Sequence, residues 1–172
     1  MKKILSLLLA LVMLVTCFMA LSACAPRPYL KDLEEAAENL KDAKYDVYYS
    51  DKEDELKKWY GFGVVEALDA DDADDNELVV VVFETSKLAR LHYEEKKLAM
   101  EYSKDSLEQN IKKVKHILKK YGDDLKSAEE DYYKELLEQY EEQLDMLKDV
   151  VIGISGKTVW YGTKDAIKAS KG

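Results

Sequence analysis

Residues 77–83 read Glu77-Leu78-Val79-Val80-Val81-Val82-Phe83. Val79 to Phe83 is β-branched or aromatic throughout and apolar on both faces. A surface strand would alternate with polar residues, so this run predicts a central strand of a sheet, over 77–85. Its neighbours in sequence are also strand-like. Residues 62–69 form a second candidate, and the polar run between the two is a hairpin loop. Tyr45, Val47 and Tyr49 alternate with Asp46 and Tyr48, which predicts another strand. Two more are expected at 150–155 and 158–162, turning through Ser155-Gly156-Lys157.

Helical signals surround these strands. Leu30, Leu33, Ala37 and Leu40 recur at 3-4-3 spacing and predict an amphipathic helix over 29–43. Ser50 with Glu53 has the spacing of a capping box for a short helix ending near Gly61. After the central strand, Ser86 opens a long helical region. Leu88, Leu91, Leu98 and Tyr102 fit one stripe. From Leu107 the stripe changes phase to Leu107, Ile111, Val114, Leu118 and Tyr121, and Gly122 is a stop signal. Tyr133, Leu137, Tyr140, Leu144 and Leu147 then repeat at 4-3-4-3. Two such stripes joined by a tight turn predict an antiparallel helical hairpin. Thr163 can cap a final short helix. The expected fold is α+β: an antiparallel sheet with packed helices, and a helical arm over about 86–148 inserted between strands three and four.

The first residues carry a different message. Met1, Lys2 and Lys3 precede an uncharged, mostly apolar run from Ile4 to Leu21, the pattern of a secretory signal peptide. The run ends in Leu21-Ser22-Ala23-Cys24, which resembles the lipobox of bacterial lipoproteins, read by signal peptidase II. Cys17 fits less well, because Thr16 precedes it where the family uses a small residue. The resemblance covers only the first two dozen residues. It implies a diacylglyceryl group on the Cys24 thiol, cleavage between Ala23 and Cys24, and a domain held on the extracytoplasmic face of the cell membrane. Two acyl chains anchor stably where one is marginal, at about 0.8 kcal/mol per buried methylene. Residues 24–28, with Pro26 and Pro28, would then be a short extended linker, with residues 29–172 a single domain.

Charge narrows the partners. The 172-residue chain carries 26 Lys and Arg against 35 Asp and Glu. Without residues 1–23 the balance becomes 24 against 35, a net charge of −11. Such a polyanion is not expected to bind nucleic acid or an anionic bilayer through its surface. The bilayer contact is expected through the diacylglyceryl on Cys24. Cys24 is also the only cysteine after the cleavage point, which leaves no partner for an internal disulfide.

Motifs for chemistry are sparse. Gly156-Lys157-Thr158 resembles the end of a phosphate loop, but position 151 is Val where the pattern requires Gly, and strand follows where it requires helix. The acidic run Asp69 to Glu77 could hold calcium weakly. As a calcium loop starting at Asp72 it has Glu77 in place of the glycine and Phe83 in place of the terminal glutamate, so a solvated hairpin tip is expected. His92 and His116 have no nearby ligand at zinc spacing. No GxSxG elbow is present, and Cys24 is consumed by the lipid. Trp59-Tyr60-Gly61-Phe62 could line a sugar or peptide platform, though core packing is the commoner fate of such residues. No catalytic residue, metal site or cofactor is expected. The expected function is a membrane-anchored extracytoplasmic lipoprotein, acting as a non-catalytic binding or interaction module of the cell envelope, its partner an envelope protein or polymer. The second reading is a small-ligand or cation-binding module, and the third a cell-wall enzyme.

Overall fold

The computed structural model describes residues 26–122 and 125–172. The signal segment 1–23 and the lipidation and cleavage residues Ala23 and Cys24 lie outside the described residues. In chain order the elements are α1 (Leu33–Asp42), β1 (Asp46–Ser50), α2 (Glu53–Tyr60), β2 (Val64–Asp71), β3 (Glu77–Phe83), α3 (Ser86–Tyr121), α4 (Ser127–Asp149), β4 (Val150–Ser155), β5 (Thr158–Thr163) and α5 (Lys164–Ala169). The strands form one antiparallel sheet in the order β1-β2-β3-β5-β4. The valine run is its middle strand. The fold is α+β as the sequence predicts, with the helical arm between the third and fourth strands.

Both faces of β3 are covered, which is why the run needs no polar alternation. Leu78 and Val80 point to one side, where they meet Leu33, Ala36, Ala37 and Leu40 of α1 and Ala166 and Ile167 of α5. One row on that face crosses all five strands: Tyr49, Leu68, Val80, Trp160 and Gly153. Gly153 is required there, because a Cβ would run into the Trp160 indole. Val79, Val81 and Phe83 point to the other side and pack with Leu56 of α2, Ala89 of α3 and Val159.

Several local expectations change. Helix α1 starts at Leu33, because the Asp32 carboxylate accepts from Glu34 and Glu35 N–H at 3.0 and 3.1 Å and fixes the N-terminus there. Pro28 is already buried, and the Tyr29 N–H donates to Ser170 Oγ at 3.2 Å. The Ser50–Glu53 capping box does not form. Ser50 is the last residue of β1, its hydroxyl accepts from Lys52 N–H, and it donates to Glu55 at 2.9 Å. Lys52 is the N-cap, with no side-chain capping hydrogen bond; its ammonium instead donates to Glu55 Oε1 at 3.3 Å. Gly122 does not take the left-handed cap conformation; its φ and ψ are −53° and −42°. Thr163 caps α5 as expected, accepting from Ala166 N–H at 3.4 Å.

The largest correction concerns α3. It is one helix of 36 residues, which at 1.5 Å per residue is roughly 54 Å long. Leu91, Leu98 and Tyr102, read as part of its packed stripe, are exposed. The sheet-facing line runs instead through Ala89, Tyr93, Lys96 and Met100, and it leads into Leu107, Ile111, Val114 and Leu118 without a break in the helix. The apparent phase change came from following the largest apolar residues. Close approach to a sheet favours a small residue, and Ala89 is fully buried.

Candidate functional site: an aromatic cleft over a carboxylate

Strand β2 alternates Leu68 and Ala70 on the α1 side with Ala67, Asp69 and Asp71 on the α2 and α3 side. Antiparallel pairing extends the second set into rows. Tyr48, Asp69, Val79, Tyr161 and Ile152 cross the sheet in one row, and Asp46, Asp71 and Glu77 lie in the next. The face therefore grades from an apolar base at Ala67, Val81 and Val159 to a carboxylate-rich end.

Helix α2 lies over the Asp69 end of this face. Leu56 anchors it in the core, and Gly61, at φ +88°, turns the chain away after its last turn. That last turn carries Trp59 outward and Tyr60 inward. The Tyr60 hydroxyl donates to Asp69 Oδ2 at 3.3 Å. From β1, the Tyr48 hydroxyl donates to Glu55 Oε2 at 3.2 Å, and Ser50 holds the same Glu55 oxygen. Tyr48, Trp59, Tyr60 and Asp69 enclose an open cleft of about 320 Å³.

Burial sets the protonation behaviour of this face. Partial burial pushes the Asp69 carboxyl up from its ordinary value; the Tyr60 hydrogen bond opposes this, and the charge of Asp71 adds to it. Tyr60 is pushed well above the usual phenol value by burial and by the Asp69 charge. Tyr161 is pushed up to about 12 by burial, Asp69 and Glu77. Glu77 is raised by burial and by Asp69 and Asp71, with Lys96 opposing. Under α3, His92 is lowered by burial and by Lys96, and its ring lies 5.1 Å from Phe83. The ion pairs found among the described residues leave Asp69, Asp71 and Glu77 out.

Trp59 and Phe62 overturn the core-packing expectation. They are 66% and 80% exposed, and the ammonium groups of Lys58 and Lys57 sit 4.7 and 4.6 Å from their ring centroids. The acidic loop behaves as the expected hairpin tip. Asp72 Oδ1 accepts from the N–H groups of Asp74 and Asn76, both at 2.9 Å, and Asn76 Nδ2 also donates to the same carboxylate. The loop lines a second groove of about 650 Å³ with Leu107, Met146 and Leu147 at the foot of the arm. Among the described residues no group of three or more His, Cys, Asp or Glu side chains is placed to hold a metal ion. Gly156-Lys157-Thr158 is the β4–β5 turn, with Gly156 at φ +62°. Among the described residues neither His92 nor His116 belongs to a group placed to hold a metal ion.

The sequence reading singled out Trp59 and Tyr60 but missed Tyr48 and Asp69 as their partners. The available signal was an acidic residue at every second position at the end of β2, Asp69 and Asp71, alternating with Leu68 and Ala70. Compared with protein-family models, curated proteins and solved structures, the chain matches none. No helix among the described residues is long and apolar enough to cross a membrane.

Proposed function

We propose that the protein is a lipid-anchored extracytoplasmic lipoprotein that acts as a non-catalytic binding module of the cell envelope, with the cleft at Tyr48, Trp59, Tyr60 and Asp69 as its ligand site. The location rests on Leu21-Ser22-Ala23-Cys24 at the end of the apolar N-terminal run. The binding role rests on one observation: aromatic side chains from β1 and α2 converge on a half-buried carboxylate, with two of their hydroxyls fixed by hydrogen bonds. Preset walls lower the ordering cost of binding. Tyr60, with its proton held tightly, orients Asp69 and does not act as an acid near neutral pH.

Two measurements test this reading. The mass of the mature N-terminus should correspond to a diacylated Cys24, and Cys24→Ser should abolish the lipid and the cut. An unmodified N-terminus elsewhere defeats the anchor. A photoreactive residue in place of Trp59 should then capture a ligand in intact envelopes, and one in place of Tyr102 on α3 should not. Capture from position 102 alone would move the binding surface to the arm.

A further inference from the structure

We propose that the cleft recognises the ammonium group of a small organic cation. The inference rests on the binding-module reading and names its ligand class. Three features of the cleft point the same way.

The first is the wall. Tyr48, Trp59 and Tyr60 line it, and an aromatic face carries a negative quadrupole that attracts a cation, most strongly where the cation leaves water. Two aromatic rings at the end of α2 and just after it already receive cations, since Lys58 rests over Trp59 of the cleft and Lys57 over Phe62. A ligand must share the Trp59 indole with the Lys58 ammonium or displace it.

The second is the hydrogen-bonding inventory. Both phenol hydroxyls are committed as donors to carboxylates, Tyr60 to Asp69 and Tyr48 to Glu55. Among the lining side chains the Trp59 indole N–H is the one donor outside these bonds, with the Lys58 ammonium over the same ring. A sugar hydroxyl both donates and accepts, and would find few donors here. An ammonium group only donates, or if quaternary does neither, and needs no donor from the protein.

The third is charge. Asp69 lies among the aromatic walls with no ion pair among the described residues, and Asp71 and Glu77 share its sheet face. Lys96, over the Tyr161 ring at 5.0 Å, and Lys58, over Trp59, offset part of this field, and the three carboxylates that remain outside ion pairs favour a cation over a carboxylate or phosphate. At about 320 Å³ the cleft is at the small end of ligand sites, suited to an alkylammonium head and a short tail.

The test is calorimetry at neutral pH on the full chain in a polyoxyethylene detergent. The probes are choline chloride, its neutral isostere 3,3-dimethylbutan-1-ol and N-acetylglucosamine. Choline should bind, and the neutral isostere should bind at least about tenfold more weakly, because it lacks the charge that both rings and carboxylate recognise. Trp59→Ala, at an exposed site, and Asp69→Asn, which keeps an acceptor for Tyr60, should each weaken choline about tenfold. Equal binding of the isostere, or choline binding untouched by both variants, overturns the proposal. So does binding of N-acetylglucosamine without choline, though that outcome keeps the cleft as a ligand site. If no probe binds, the ammonium assignment fails, and capture from position 59 separately decides whether the cleft binds anything.

Discussion

In the sheet, Leu68, Val80, Val81 and Val159 are fully closed off from solvent, with helices over both faces of β3. In the arm, only Ile111 and Val114 of the seam are buried, and α4 buries no residue at all. The two regions share one continuous helix, since α3 lies on the sheet with its first half and pairs with α4 through its second. Most helical stability in proteins comes from tertiary packing of one face. The sheet region holds itself together, whereas the arm depends on one thin seam and on its root in the sheet. A ligand site built on β1, β2 and α2 therefore sits in the rigid region.

The sharpest break of this contrast is in the core. Trp160 is 2% exposed and packs over Gly153 in the row that crosses all five strands. Trp160→Ala should cost about 3–5 kcal/mol and unfold sheet and arm together. Chemical denaturation followed by circular dichroism checks this. An arm that stayed helical after the sheet had melted would show that it folds independently.

Val114→Asp attacks the other region. A charge in the Ile111–Val114 seam should cost the arm on the order of 2–3 kcal/mol, enough to open it while the sheet stays folded. Hydrogen exchange should then accelerate across 105–121 and 127–149 and remain slow in β3 and β5. Uniform acceleration everywhere would mean that the arm and sheet form one cooperative unit.

The same contrast explains what the sequence could reveal. A valine run apolar on both faces can only be a covered central strand, and the 4-3-4-3 stripe from Tyr133 to Leu147 requires a facing helix. The structure contains both. The first half of α3 is harder to read, because its contact face is carried by Ala89, Tyr93 and Lys96, while Leu91, Leu98 and Tyr102 point outward. Size misleads where close backbone approach decides. Ser50 stands at capping-box spacing from Glu53, but its hydroxyl serves Lys52 and Glu55 instead. The cleft was least legible, since residues 48, 59, 60 and 69 meet only after β1 pairs with β2 and α2 folds over them.

Asp69 tests whether the rigid region gives up stability at the cleft. Its folded pKa is raised, chiefly by burial. Any stability it contributes is fully present below the ordinary carboxylate range and is lost as pH rises through the raised value. Asp69→Asn cannot ionise and still accepts from Tyr60. It should be more stable than the parent at neutral pH by a few tenths of a kcal/mol, a small gain because the half-exposed site is screened by water. The gain should vanish in acid, where Asp69 is protonated. Urea melts at neutral and acid pH measure both arms. A variant less stable at neutral pH would mean that the ionised carboxylate is part of the fold's support.

The smallest expected effect lies on the surface of the arm. Lys115 Nζ of α3 and Glu141 Oε1 of α4 are 2.6 Å apart, and their side chains are 57% and 48% exposed. This pair bridges the two helices just beside the seam, so it could be thought to supply what the apolar contacts lack. Its exposure argues otherwise. Exposed pairs gain little Coulomb energy in water and lose side-chain entropy on forming, and their measured coupling is about 0.2–1 kcal/mol. A double-mutant cycle with Lys115→Met and Glu141→Gln, read by hydrogen exchange in α4, should give a coupling of no more than about 0.5 kcal/mol. That coupling should shrink further in 1 M salt, where the screening length falls to about 3 Å. A coupling as large as the Val114→Asp effect would mean that charge across the two helices, more than the Ile111–Val114 seam, holds the arm closed.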